Sequence, residues 1–535
     1  MSLPRFFTRA ADAAAGTGSR LTAQVLSDRL LGVTVALSTD AGAGDQLGEG
    51  FLLATNLLSR LYPRLLLTAP DPLRQQAEAL ATAINPEVCL AAPDDGQAGG
   101  VFRLHLGAAE WSASASDVVV GAAGWVVAVD TEVPAGLGAP AAAAALAAAA
   151  VGVGEIFDAV FSEWTDRPGR HGARPAVWDL VTSRRATRAY AHAGMWTGAA
   201  DPAPDIGTVV LAGAGAVGQA AVLTWRAAGA RGHLVPVDDE SVDVGNLQRY
   251  VLTDDNSEEQ IKTDLIARAL AGSPLTIQPV TSRWGEDPAS GPFRETVAVA
   301  LDTADARVSV AAGTHHRVYN AWTGPGALGW SRHESFGKGD PCLACAYWPK
   351  GPQPSLHENI AVAIGQHPLR IRMYLAPEAT LAWIPPEILG LPGLPLPEQE
   401  EAWRKTSLVD ALVASGHIPA EDAQRWASRH VLDLWHEGIC GGTLARPPGS
   451  PVAVEVPVAH ASALAGIMLA AQILIAADPE LARRRDPLPQ GRIDGQGPLP
   501  NVIGRPRQPT PQCLCGDAAF RAAWDDAWGL AGPPL

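Results

Sequence analysis

The chain has 535 residues, 47% of them hydrophobic, and its 56 acidic side chains outnumber 40 basic ones for a net charge of -16. The length exceeds what one hydrophobic core supports, so two or more domains are expected. The hydrophobic fraction excludes a largely disordered chain, and the acidic balance argues against nucleic acid or an anionic membrane as the main partner. Only four lysines occur (Lys262, Lys338, Lys350 and Lys405), and biased codon usage is the simplest reason. Six cysteines are too few for a disulfide-stapled secreted protein, and the first residues lack the apolar core of a signal peptide. A cytoplasmic setting is therefore expected.

In chain order, the stretch from Gly32 reads as a strand, a glycine-rich loop, an apolar helix and a second strand ending near Asp71. A helix from Pro72 then runs to a turn at Pro86. Asp117 to Val120 reads as a further strand, and Ala139 to Trp164 as an alanine-rich helix. A polar, Arg-rich stretch near 165–204 separates this part from a second one with the same order of features. From Gly207 a strand meets the glycine run Gly213, Gly215 and Gly218, then a helix, then a strand ending in Asp238 and Asp239. A helix from Glu258 reaches Pro274, and Thr296 to Leu301 reads as the counterpart of Asp117 to Val120. Residues 351–437, Pro-rich and then charged and helical, read as an inserted lobe. The apolar run Val458 to Asp478 is interrupted by His460, Ser462 and Gln472, which favours a buried helix over a membrane span. The expected division is residues 1–180, 181–350, 351–437 and 438–535, with a duplicated α/β domain at its base.

The glycines of GAGAVG let backbone N–H groups and a helix N-terminus approach a phosphate. Asp238, 20 residues beyond Gly218 at a strand end, is placed to accept bonds from ribose hydroxyls. Those features fit a nicotinamide or flavin enzyme equally well. Between its second strand and next helix the first copy has only Ala69, Pro70 and Asp71, whereas the second has over twenty residues, so chemistry carried there belongs to the second copy alone. That insertion holds Asp238-x-Glu240, Asn246-Leu247-Gln248-Arg249 and Lys262, followed by Asp302-Thr303-Ala304-Asp305. Ser257 to Gln260 reads as a capping box that places Lys262 in the first turns of a helix with Ile261, Leu265 and Ala269 on its apolar face.

This series resembles the E1-like ThiF/MoeB/HesA adenylating family, which shows a glycine loop, D-x-D, NLxRQ, a lysine at this spacing and D-x-x-D. Glu240, Tyr250 and Ala306 depart from that pattern. The resemblance implies two Rossmann-like adenylation domains in a pseudo-dimeric arrangement, the first inactive and the second armed for ATP. It also implies that Gly213, Gly215, Gly218, Asp238, Glu240 and Asn246 bind the nucleotide with Arg249 and Lys262, and that Asp305 holds Mg2+. Chemically, adenylation expels pyrophosphate, and fixed cations such as Arg249 and Lys262 offset the triphosphate charge.

Cys342 and Cys345 (C-x2-C) with Cys513 and Cys515 (C-x-C) supply four thiolates, enough for a structural Zn2+ site. Two such pairs are common in the resembled family, whose second pair is usually C-x-x-C. A disulfide or loss of the metal is the alternative. Cys89 reads as a buried core residue. Cys440, between Ile439 and two glycines, is approachable and a candidate to take an acyl group as a thioester, with His436 and His460 near it in sequence.

The leading expectation is therefore an activating enzyme that adenylates the C-terminal carboxylate of a ubiquitin-like protein, with thioester transfer to Cys440. An E2-like partner, a homodimer and an N-terminal arginine donated to the site (Arg5, Arg9 or Arg20) accompany that expectation. The alternatives are adenylation of a ribosomal peptide or sulfur-carrier protein without a thioester, an NAD- or FAD-dependent oxidoreductase, and a non-catalytic scaffold.

Overall fold

The computed structural model describes residues 28–90, 100–107, 116–133, 136–161, 176–183, 185–186, 203–324, 327–336, 341–347, 358, 458–485, 490–494, 509–510 and 512–529. Contacts divide the chain into two units. Met1–Ala10, Gly18–Trp348 and Pro457–Leu535 form one, and Ala11–Thr17 with Pro349–Val456 the other. Both sheets lie in the first unit. Of the second, only residue 358 is described, so the inserted lobe, Cys440 and His436 lie outside the described residues, as do Arg5, Arg9 and Arg20.

The first sheet is built from β1 (Thr34–Thr39), α1 (Gln46–Ser59), β2 (Leu65–Thr68), α2 (Asp71–Ile84), β3 (Val101–Leu106), β4 (Asp117–Ala123), β5 (Val126–Val129), α3 (Ala142–Phe161), β6 (Ala176–Asp179) and β7 (Arg185–Ala186). Its strand order is β2-β1-β3-β4-β5-β6-β7, parallel from β2 through β4 and antiparallel beyond. Val35 and Leu37, fully buried in β1, illustrate the apolar strands expected where helices cover a parallel sheet.

The second sheet takes β8 (Asp205–Ala212), α4 (Ala216–Ala227), β9 (Arg231–Val237), α5 (Lys262–Ala269), β10 (Leu275–Ile277), β11 (Thr296–Val299), α6 (Ala304–Ala312), β12 (Arg317–Gly324) and β13 (Ala327–His333). After α7 (Leu343–Tyr347) come α8 (Ala459–Ala477), α9 (Pro479–Arg484), β14 (Gln490–Asp494) and α10 (Ala518–Trp524). The order is β10-β9-β8-β11-β12-β13-β14, parallel through β12 and antiparallel beyond. The connectivity is shared. A parallel bridge between Arg64 and Cys89 stands beside β2 where β10 stands beside β9.

That alignment corrects two expectations. β3, not Asp117–Val120, is the counterpart of β11, because both are the parallel neighbours of the first strand on the side away from the second. Asp117–Ala123 instead matches β12, each being the last parallel strand before an antiparallel partner. Cys89 is half-buried, at a bridge to Arg64 beside β2, rather than in a core.

Helices α3 and α8 are long and apolar enough to cross a membrane, but 89% and 78% of their most apolar windows are buried within the fold. Their alanines explain why: small side chains let α1 pack on α3, α4 on α8, and α3 on α8 at close range. His460 in α8 lies against Phe157 of α3, ring centroids 5.3 Å apart.

Candidate active site

Strand β8 is central, with β9 on one side and β11 on the other, and chain connections diverge there in opposite directions. In open α/β sheets the crevice at the C-terminal ends of such strands receives the ligand. Gly213 follows β8 at φ 96°, and a Cβ there would stand 2.8 Å from Ala300 O. A Cβ at Gly218 would come 2.2 Å from Gly213 O, so this turn closes only without side chains. Gly215 is the N-cap of α4, which has no acidic residue in its first turn. The helix thus opens with unshared N–H groups and a positive dipole end.

Asp238 ends the neighbouring strand. Its Oδ2 accepts from Ala214 N at 2.7 Å and its Oδ1 from Glu240 N at 2.9 Å, so it braces the glycine loop. Burial raises its pKa above the usual carboxylate value, with Lys262 and the two N–H groups opposing that rise. Asn246 closes a 3-10 turn, Val244–Asn246, in a capping box: Asp243 Oδ1 accepts from Gly245 N at 2.6 Å, and Asn246 Oδ1 from Asp243 N at 3.1 Å.

The capping box expected at Ser257 is not formed. Ser257 Oγ donates to Asp254 Oδ1 at 2.8 Å, Glu259 has φ 65°, and α5 begins at Lys262 with Ile261 as N-cap. The short Asp254–Ser257 turn uses the hydroxyl that a helix cap would have needed. Lys262 is nevertheless buried, its side chain 4% exposed, and it pairs with Glu240, whose side chain is 69% exposed. Burial disfavours its charge, but Tyr250, Asp238 and Glu240 together hold its pKa above the ordinary value.

Tyr250 organises the two cations. Lys262 Nζ lies 5.5 Å from its ring centroid and Arg249 Cζ 5.8 Å, while a Cβ at Gly215 would stand 3.3 Å from its hydroxyl. Arg249 Nη1 is buried without a hydrogen-bond partner, an orphan donor on the residue next to Tyr250. Gln219, fully buried in α4, donates to Ala214 O at 3.2 Å and accepts from Leu252 N at 3.1 Å, tying the loop to the Arg249 segment. Motif reading misses Gln219, whose only sequence signal is a polar residue on an apolar helix face. Asp302 and Asp305 are exposed just beyond β11, Asp305 in the first turn of α6.

The four cysteines converge elsewhere in this half. All are buried with their sulfurs within 4.8 Å of one another, including Cys342–Cys513 at 3.5 Å, Cys345–Cys515 at 3.4 Å and Cys342–Cys345 at 3.9 Å. A tetrahedral ion with about 2.3 Å metal–sulfur bonds needs sulfurs about 3.8 Å apart. The set could therefore hold a metal ion, and none of the four forms a disulfide.

The ThiF family pattern matches residues 206–482, more than half of the chain. The chain belongs to the ThiF family. Membership makes it an adenylyltransferase-type, nucleotide-binding enzyme. A Sinorhizobium fredii protein described as uncharacterized protein y4jF is 30% identical over 566 positions, spanning 100% of this chain and 99% of that one. Among solved structures, E. coli MccB with ATP is 14% identical, covering 58% of this chain and 67% of that one at a TM-score of 0.33. E. coli MccB with MccA-N7isoASN gives 13% identity, the same coverages and 0.33. Membership rests on the sequence match, not on these overlaps.

Proposed function

We propose that the second half binds Mg-ATP in the crevice beyond β8 and β11 and adenylates the C-terminal carboxylate of a ubiquitin-like protein, while the first half serves as its inactive pseudo-dimeric partner. The observation that carries this reading is the convergence of Arg249 and Lys262 on Tyr250 against Gly215, with an Arg249 donor left unsatisfied. Two fixed cations beside a phosphate-sized glycine turn suit a triphosphate and have no task in hydride transfer, which disfavours an oxidoreductase.

In this reading a substrate carboxylate oxygen attacks the α-phosphorus, the bond to the bridging oxygen breaks, and pyrophosphate leaves. Arg249 and Lys262 offset the charge carried away. Lys262 exchanges Glu240 for phosphate oxygens, which is feasible because Glu240 is mostly exposed and turns into water. Asp238, Asn246 and Glu240 line the nucleoside side. Asp305 fits an Mg2+ ligand, since that ion takes one or two carboxylates plus phosphate oxygens, and when bound it would neutralise part of the triphosphate charge. Cys342, Cys345, Cys513 and Cys515 fit a structural Zn2+ that fastens the C-terminal segment to this half. Elemental analysis of the purified chain should find one zinc, and a value near zero would remove that assignment.

Cys440 is proposed to attack the acyl adenylate as a thiolate, forming the thioester and releasing AMP, before transfer to an E2-like protein. The test is ATP–pyrophosphate exchange with a candidate ubiquitin-like protein, followed by non-reducing intact-mass measurement. Exchange plus a thiol-sensitive adduct absent from Cys440→Ala is expected. Exchange with no adduct would leave adenylation of a peptide or sulfur carrier without a thioester, and no exchange with any carboxylate substrate would defeat the adenylation reading.

A further inference from the structure

The nucleotide-site segment does not stand on the second half alone. Helix α1 of the first half ends in Asn56 and the C-cap residue Arg60, and both reach across the chain. Arg60 is 1% exposed. Its Nη1 donates to Leu247 O and, at 3.3 Å, to Thr253 Oγ1, while its Nη2 donates to Thr253 O at 2.6 Å. Its Nε donates to Asn56 Oδ1 at 2.9 Å, and Asn56 Nδ2 donates to Val251 O at 2.9 Å. Three carbonyls within seven residues are thus taken by two side chains from a helix almost two hundred residues earlier. Between them stand Gln248, Arg249 and Tyr250.

We propose that Arg60, steadied by Asn56, is a positioning residue for the nucleotide: its fork fixes the backbone on both sides of Arg249 and Tyr250 and so sets where their side chains stand. This rests on the adenylation reading above. The local bonds show why an outside clamp is needed. The segment turns on itself through Arg249 N and Tyr250 N, which both donate to Asn246 O, but such a turn leaves its last carbonyls without partners. In a buried place those carbonyls demand donors. A guanidinium supplies five N–H groups in a rigid plane, enough to reach two carbonyls, a hydroxyl and its own helix at once. A lysine ammonium supplies three donors from one atom, too few for the four acceptors that Arg60 reaches.

The neighbouring contacts extend the same support. Ile84 and Leu80 of α2 pack with Val242, Leu247 and Leu265, and Asp255 N donates to Ala83 O at 3.0 Å. Gln219 links Leu252 back to the glycine loop. The first half therefore forms one wall of the segment that carries Arg249. Burial pushes the Arg60 guanidinium down to about 9, with Asp254 working the other way, so it remains charged at neutral pH. Burying a cation is costly unless hydrogen bonds satisfy its donors, and Arg60 makes four.

The test uses the full chain carrying Arg60→Lys and, separately, Asn56→Ala, with Arg60→Met as the harsher variant. Amide hydrogen exchange of residues 247–253 is compared with that of α1, and ATP affinity is measured by calorimetry alongside pyrophosphate exchange. The expected result for Arg60→Lys is faster exchange confined to 247–253 and an ATP KM raised about ten-fold or more, with a smaller change in kcat. Asn56→Ala should give the same pattern more weakly. A merely structural role would lower the melting temperature of both variants while leaving ATP affinity and the protection of 247–253 unchanged, and that result overturns the proposal. If the unaltered protein binds ATP but shows no exchange with any substrate, the adenylation reading fails, while calorimetry and amide exchange still decide the role of Arg60.

Discussion

The two glycine loops of this chain share a fold position and differ in what occupies it. In both, a glycine one turn into the helix sits against a glycine carbonyl: a Cβ at Gly48 would meet Gly42 O at 2.5 Å, and one at Gly218 would meet Gly213 O at 2.2 Å. The helix ends diverge. At α4 the N-terminus is open, whereas at α1 the N-cap is Asp45, whose Oδ2 accepts from Gly42 N at 2.9 Å, and Glu49 adds a second carboxylate in the first turn. An acidic group already sits where an anion would be drawn by the helix dipole. The next connection differs more: residues 69–70 join β2 to α2, while residues 238–261 join β9 to α5 and carry Asp238, Asn246 and Arg249 up to Lys262. The shared backbone thus keeps its packing rules, while the residues proposed to carry the chemistry lie in one insertion, which the first half helps to hold.

The largest effect should come from that insertion. Lys262→Ala or Arg249→Ala is expected to lower ATP–pyrophosphate exchange about 100-fold or more, the usual scale for removing one group aimed at transition-state charge. Thermal melting checks that folding survives, because Lys262→Ala leaves behind both the largely exposed Glu240 and Asp238, whose charge Lys262 offsets. A loss under about three-fold in both variants would show that these cations are not the ones facing the triphosphate, on the same scale.

A smaller effect concerns the acid stability of the second half. His315 lies in the α6–β12 connection, 3% exposed, with Trp524 Nε1 donating to its carbonyl at 3.0 Å and its Nδ1 accepting from Arg294 N at 3.1 Å. Burial, and then Arg294, push its pKa down to about 4 against an opposing backbone bond. Between that value and the ordinary value of 6.5 the unfolded chain takes up a proton that the folded chain refuses. Stability is therefore complete above pH 6.5 and falls toward pH 4, by up to about 3 kcal/mol. Melting curves from pH 7 to 4 should show this fall in the unaltered protein and a shallower one in His315→Gln. Equal slopes would remove His315 as the cause.

Much of this difference is legible in the sequence. The glycine spacing, the acids ending β9 and the lysine at 262 mark the candidate site because each reflects a local backbone or charge requirement. The paired cysteines are legible for the same reason, and their sulfurs do converge. What sequence reading gets wrong is the register of the repeat: Asp117–Val120 resembles Thr296–Leu301 in composition, and a parallel strand buried on both faces carries no periodicity to say which neighbour it is. It also misplaces the cap before Lys262, since a serine can bond its own turn as readily as a helix. Arg60 and Asn56 carry no signal at all, because their partners are carbonyls, which every residue has, almost two hundred positions away.

The smallest expected effect bears on the proposed silence of the first half, for which two causes compete. One is repulsion by Asp45 and Glu49 at the α1 N-terminus, an interaction of about 1 kcal/mol per charge at an exposed helix end. The other is the missing insertion, which in the second half supplies both cations and the acid that braces the loop, groups together worth several times as much. The insertion should dominate. Calorimetric titration of the Asp45→Ala variant with ATP is thus expected to give one nucleotide per chain, as in the unaltered protein, with unchanged affinity. A stoichiometry of two would mean that the first glycine turn needs only its charge relieved, and the contrast between the halves would reduce to one carboxylate rather than to the residues between β9 and α5.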